Sequence, residues 1–296
     1  MQRSSRVAVC MLALSACLSL PRVAPAQSDR DPIGDFVTAL KNASEPAAVI
    51  KARERIQEWY RDAEQRNEAY AFAGQAAERL VALLDTYKGN ALMDRVRLIN
   101  VAIAMSTMPQ VSIQPALEAM LEHANPGVRM YGWTGYLRIR RRVMAQGPDF
   151  ARTMFESMSA AAANETAAPV LAELFRLLRT GTERPTAIAA AIWDQWLTLV
   201  WTIQRDNRQR WAENIGAGST ELAMAAPLLL DGMLNRVPFF TADKKRRKQA
   251  VAMAYTMAWY SSYAYQQAGH DSFVANANGR LLRTSETLLN ALTGLD

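Results

Sequence analysis

The chain has 296 residues, 50% of them hydrophobic, 21% charged and 8% aromatic, and a formal net charge of +6. That balance belongs to a globular chain rather than a disordered one, and the length admits one large domain or two smaller ones. The body has no apolar run of bilayer-spanning length, which excludes a multi-pass membrane protein, and two cysteines and two histidines leave little for thiol or metal chemistry.

Residues 1–26 read as a secretory signal peptide. Arg3 and Arg6 form a basic start, Val7 to Leu20 is apolar, and Pro21 to Ala26 ends in the small-residue site Ala24-Pro25-Ala26. A rival cut lies inside it. Leu14-Ser15-Ala16-Cys17 resembles the bacterial lipobox, in which a signal of residues 1–16 is removed and the new terminal cysteine, here Cys17, is lipidated. The complete polar segment downstream favours ordinary cleavage. Both routes take the chain out of the cytoplasm, to the periplasm or the extracellular space, or as the alternative to a membrane-anchored lipoprotein. Cleavage after Ala26 removes Arg3, Arg6 and Arg22, lowering the formal charge from +6 to +3, and removes both cysteines. The mature chain, 27–296, then holds itself together by its core alone.

The body is predicted to be helical throughout. Seven prolines sit where helices would begin: Pro32, Pro46, Pro115, Pro126, Pro148, Pro169 and Pro185. Asp31 and Asn125 are predicted N-caps directly before proline, with Ser44 and Ser112 as capping residues a little further ahead of theirs. Pro109 and Pro238 punctuate loops, and Pro227 is expected to start, kink or split a helix. Ile50, Ile56 and Trp59 step along one helix, and Ala76, Leu80, Leu83 and Leu84 along the next. No period-two alternation is sustained, and Asn278-Gly279 reads as a turn between helices. About eleven or twelve helices with short connections are expected in a single all-α domain, the density of antiparallel helical pairs.

The most specific phrase is Asn125-Pro126-Gly127-Val128-Arg129, followed by small residues at Gly132 and Gly135. A short helix, Gln114 to Ala124, precedes it with Leu117, Met120 and Leu121 on one face. Two apolar stripes run along the helix that follows: Val128, Tyr131, Gly135, Ile139 and Val143, then Met130, Trp133, Leu137 and Met144. Two stripes suit a helix packed on both sides. The phrase resembles the HEAT repeat, whose second helix opens with an Asp-Pro-x-Val-Arg-like run and uses small residues to let neighbours approach. Asn125 stands here for the usual Asp, and Tyr136 for a usual Leu. Arg95-Val96-Arg97, 32 residues before Val128, and Ala168-Pro169-Val170, about forty after it, are weaker echoes at repeat spacing. The resemblance covers roughly residues 91–180. It implies a right-handed α-solenoid of antiparallel helix pairs related to armadillo arrays, which present extended surfaces to partners.

Candidates for chemistry are few. His123 sits at a helix end and His270 in a polar loop, with no second ligand at metal spacing, so no metal and no cofactor are expected. Asp194, between Trp193 and Trp196, is the carboxylate in the most apolar context, and one buried Asp is more often structural than catalytic. The run Lys244, Lys245, Arg246, Arg247 and Lys248 opens a helix predicted to be capped by Thr241. Charge runs are usually solvated faces, and the functional alternative is a site for an anionic partner. Arg138, Arg140, Arg141 and Arg142 form a second cluster near a helix end. On the helix after the basic run, aromatics fall on more than one side, and Tyr260, Tyr263 and Tyr265 are the contact candidates.

These features lead to an expectation of an exported, non-catalytic helical-repeat scaffold that binds a protein partner in the cell envelope. A carbohydrate-active enzyme or glycan binder with an aromatic-lined cleft, and a lipoprotein held at anionic lipid head groups, are the alternatives. No nucleic-acid partner is expected.

Overall fold

Proline opens most of the early helices. In the computed structural model, which describes residues 31–88, 91–163, 165, 167–178, 217–267 and 272–294, Pro32 begins α1 (Pro32–Asn42) and Pro46 begins α2 (Pro46–Gln65). Helix α3 (Ala69–Thr86) and α4 (Leu92–Ser106) follow without one. After a 3-10 turn, Val111–Ile113, Pro115 is the second residue of α5 (Gln114–Leu121). Pro126 begins α6 (Pro126–Gln146), Pro148 begins α7 (Pro148–Ala163), and Pro169 is the second residue of α8 (Ala168–Leu178). A first-turn proline gives up an N–H that would be unpaired anyway, and its φ is already helical. The remaining helices are α9 (Ala217–Leu234), α10 (Val237–Thr241), α11 (Lys244–Gln267) and α12 (Ser272–Thr293). The described residues are therefore all-α, with twelve α-helices and no strand.

Several local expectations are corrected. Asn125 does cap α6, its side chain accepting from Gly127 N at 2.8 Å. Glu45, not Ser44, occupies the cap position of α2, and Ser112 donates to the Tyr70 carbonyl of α3 instead of capping α5. Pro238 sits in the first turn of α10 rather than in a loop. Pro227 lies inside α9 without splitting it. Asn278 and Gly279 are not a turn. They lie within α12, where Asn278 is buried and its Nδ2 donates to Val274 O at 3.0 Å. Ile50 is exposed, and α2 instead buries Val49, Ala52, Ile56, Tyr60 and Ala63. Pro185, His270, Trp193, Asp194, Trp196, Trp201 and residues 1–26 lie outside the described residues.

From α1 to α7 each helix packs against the next, and α2 also meets α4, α3 meets α5, α4 meets α6, α5 meets α7 and α6 meets α8. Helix α8 then packs on α9, α9 on α12, and α12 on α11. Helix α6 thus touches α4, α5, α7 and α8, and buries Val128, Trp133, Tyr136, Ile139 and Val143 among them. The described helices belong to one compact unit, Pro32–Asp296.

Close approach of α5 and α6 requires two glycines. A Cβ on Gly132 would lie 2.9 Å from Leu121 Cδ2 and 3.2 Å from Met120 Cβ, and one on Gly135 would overlap the buried Leu117 side chain. Tyr136 buries its ring beside them and donates its hydroxyl to Glu118 Oε1 at 3.4 Å. Gln114 Nε2 and Ser157 donate to the same oxygen at 3.0 and 3.3 Å, so Glu118 ties α5 to α6 through the tyrosine and to α7 through Ser157. Burial, joined by the Glu118 carboxylate, raises the Tyr136 hydroxyl well above the ordinary tyrosine range.

Arginines close the helix ends. Arg129 Nη1 donates to the carbonyls of His123 at 2.9 Å and Ala124 at 2.8 Å, gripping the turn before its own helix. Its Nε and Nη2 donate to Glu165 at 2.7 and 3.1 Å, and Glu165 accepts from Ala167 N at 2.9 Å in the connection between α7 and α8. Arg97 closes the end of a different helix. It donates to Leu40 O at 3.0 Å and Ala43 O at 2.8 Å after α1, and pairs with Asp94 at 3.0 Å. Arg138 reaches Ser106 O at 3.1 Å, Arg140 reaches Leu177 O at 2.6 Å, and Arg142 donates to Pro109 O. The late carbonyls of a helix have no intrahelical partner, and a guanidinium fork supplies one with favourable charge.

Two predictions follow from this packing. Gly135→Val overpacks the α5–α6 contact and should cost about 1–3 kcal/mol, read as a lower urea midpoint at unchanged slope; an unmoved midpoint would contradict the close approach. Burial, joined by the Glu64 carboxylate and opposed by the bond from Gln110, pushes the Tyr60 hydroxyl from 10.0 up to about 12. The unfolded chain therefore ionises first as pH rises. The Tyr60 contribution is complete below pH 10 and is lost as pH climbs to about 12. Tyr60→Phe should flatten that alkaline decline in denaturation midpoints.

Candidate functional site

Helix α11 carries Lys244, Lys245, Arg246, Arg247 and Lys248 in its first turns and no carboxylate along its length. Cations there oppose the helix dipole. Asp243 offsets this: its carboxylate accepts from Arg246 N at 2.8 Å and its carbonyl from Arg247 N at 2.9 Å. Asp243, not Thr241, caps the helix. Thr241 turns back and donates its hydroxyl to Val237 O at 3.0 Å.

The five cations divide into two groups. Arg247 donates to Leu292 O at 2.8 Å and Thr293 O at 3.3 Å, closing the C-terminal end of α12. Arg246 lies over the Phe239 ring of α10, 4.4 Å from its centroid, a cation–π contact. These two arginines hold the fold together. Lys244, Lys245 and Lys248 are exposed and form no ion pair among the described residues.

The aromatic candidates divide as well. Tyr260 is fully buried, together with Ala250, Met253, Ala254, Met257, Ser261 and Ala264, and is core rather than contact surface. Tyr265 is exposed on a flank, its ring over Gly279 of α12, where a Cβ would sit 3.6 Å from Tyr265 Cε2. Tyr263 faces outward at 39% exposure and stacks on Trp259, with centroids 6.1 Å apart and planes within 5°. Trp259 is 45% exposed and Tyr255 65%. Tyr255 and Trp259 were not among the sequence-based contact candidates. The signal for them was their spacing: Tyr255, Trp259 and Tyr263 recur every four residues and share one helix face. Lys244 and Lys248 stand four apart, and Lys248 precedes Tyr255 by seven, so both lysines continue the same face. The structure thus brings Lys244, Lys248, Tyr255, Trp259 and Tyr263 into one outward stripe.

The repeat-motif residues Asn125, Pro126, Val128, Arg129, Gly132 and Gly135 lie together at the α5–α6 contact, where they are structural. His123 belongs to that turn too, its Nδ1 accepting from Asn125 N at 3.0 Å. Cys17 lies outside the described residues. Among the described residues no group of three or more His, Cys, Asp or Glu side chains is placed to hold a metal ion, and no helix is long and apolar enough to cross a membrane. Comparison with family models, with curated proteins and with solved structures finds no match for this chain.

Proposed function

We propose that the protein is an exported, non-catalytic α-solenoid of the HEAT-like kind that binds a protein partner in the cell envelope. The observation that carries this reading is the packing of alternate helices, α2 with α4, α6 and α8 in succession and α3 with α5 and α7. In a helical repeat each unit completes its core against its neighbours, which sets helices in rows and leaves a long surface for a partner. Arginine forks that close helix ends support the same reading, Arg97 at the end of α1 and Arg129 at the turn before α6. The polar groups best placed for chemistry, Glu118 with Tyr136 and Glu165 with Arg129, are engaged with neighbouring helices and connections. The signal-like residues 1–26 support export.

Exposed Leu92 of α4 lies on the repeat segment, and exposed Tyr70 lies on α3, which packs against α4. A photo-crosslinking amino acid at either position, introduced into the full chain in cells, should give a discrete adduct to the same envelope protein. Cleavage of an envelope polysaccharide by the purified chain, with no protein adduct at either position, would instead place it among carbohydrate-active enzymes.

A further inference from the structure

Helix α11 is apolar or aromatic on its buried side and aromatic again on the side that faces solvent. An amphipathic surface helix has one apolar stripe, and a second one is normally covered by something. The second stripe here runs from Lys244 to Tyr263, about 28 Å at the usual helical rise. Its three rings all carry a polar tip, and the one aliphatic side chain larger than alanine at its edge, Val251, is half-buried. Its basic end is electrostatically unbalanced. The run Lys244 to Lys248 carries five positive charges, against the single carboxylate of Asp243 that caps the helix.

We infer that this stripe seats the protein on an anionic lipid surface, with α11 lying in the plane of the head groups. Three observations select that occupant. Tyrosine and tryptophan combine an apolar ring with a polar tip, the composition that settles at the head-group level of a bilayer. Lys244, Lys245 and Lys248 have long stems, no ion pair among the described residues, and positions at one end of the stripe, where each can reach a lipid phosphate. The charge on α11 is of a single sign. Protein interfaces usually set both signs against each other to fix register, whereas a single sign matches a surface that is anionic throughout. A neutral glycan is the poorer fit, because it would leave Lys244, Lys245 and Lys248 without an anionic partner. The division of the basic run has a physical reason in this reading: the arginines build the helix ends, and the lysines are left for the membrane. This inference concerns α11 alone and stands apart from the protein partner proposed for the repeat segment.

The test uses the full chain, because any contact of residues 1–30 with lipid is common to every variant. Vesicles of phosphatidylglycerol and phosphatidylcholine with brominated acyl chains are added, and tryptophan quenching is compared between wild type and Trp259→Phe, so that the difference reports Trp259. The expected result is quenching of Trp259 on the anionic vesicles, little on pure phosphatidylcholine, and a steep decline as salt rises. In the triple variant Lys244→Gln, Lys245→Gln and Lys248→Gln, the lipid concentration for half-quenching should rise by roughly a hundredfold at low salt, about fivefold per lysine. Because these side chains are exposed, the helical circular dichroism and melting transition of the variants should match wild type. Three outcomes would overturn the inference: Trp259 unquenched while the chain sediments with anionic vesicles, equal quenching on both vesicle types, or lysine-dependent binding to heparin or polyglutamate with Trp259 unquenched by lipid. The last would assign the stripe to an acidic polysaccharide or protein.

Discussion

Glu165 has 2% of its side chain exposed, in the short connection between α7 and α8, and burying a carboxylate costs several kcal/mol unless a cation and hydrogen-bond donors are buried with it. Arg129 supplies both. Its guanidinium spans two connections at once, holding the carbonyls of the α5–α6 turn with one nitrogen and Glu165 with the other two. The turn is itself fixed by Asn125 and His123, so the arginine leaves α6 in a defined direction. Once α6 is set, Gly132 and Gly135 allow α5 to close against it, and Tyr136 locks the pair through Glu118. The connection between α7 and α8 is held to α6 by the same guanidinium.

The other arginines extend this principle along the chain. Short connections leave helix-end carbonyls with no backbone partner, and Arg97, Arg138, Arg140, Arg142 and Arg247 each reach across to a carbonyl near the end of another helix. A side chain with five donors in a fixed fork can satisfy two carbonyls and a carboxylate together, which lysine cannot. Two clusters that read as basic patches in the sequence are therefore largely joints between helices. The lysines of the run 244–248 are the exception, and Lys244 and Lys248 lie on the same side of α11 as its exposed rings.

The sequence made the helices legible because their starts are local chemistry. Pro32, Pro46, Pro126 and Pro148 each begin a helix, and Asn125 caps one, for reasons contained within a few residues. The α5–α6 phrase was legible for the same reason, since Leu117, Met120 and Leu121 face glycines whose spacing already matched theirs. What could not be read was non-local or degenerate. Nothing near Glu165 marks it as the partner of an arginine 36 residues away. Helix α11 has aromatics on more than one side, so spacing groups Tyr255, Trp259 and Tyr263 on one face apart from Tyr260 but does not say which face is buried. Asn278 and Gly279 carry a turn signature, yet packing against α11 keeps them helical, tertiary contact overriding local propensity. The sequence points to Thr241 as the cap of α11, but the short α10 takes in Thr241 and leaves Asp243 in the cap position.

The dependence of the middle helices on Arg129 is tested most directly by a double-mutant cycle with Arg129→Met and Glu165→Gln, measured by urea unfolding of the full chain. If the buried pair sets the arrangement of α5 to α8, Arg129→Met should cost about 3–5 kcal/mol, and the double variant should be little worse than that single, giving a coupling of at least about 1.5 kcal/mol. Single-variant costs that simply add, within about 0.5 kcal/mol, would show that the two residues act independently and that the helices are placed by apolar packing alone.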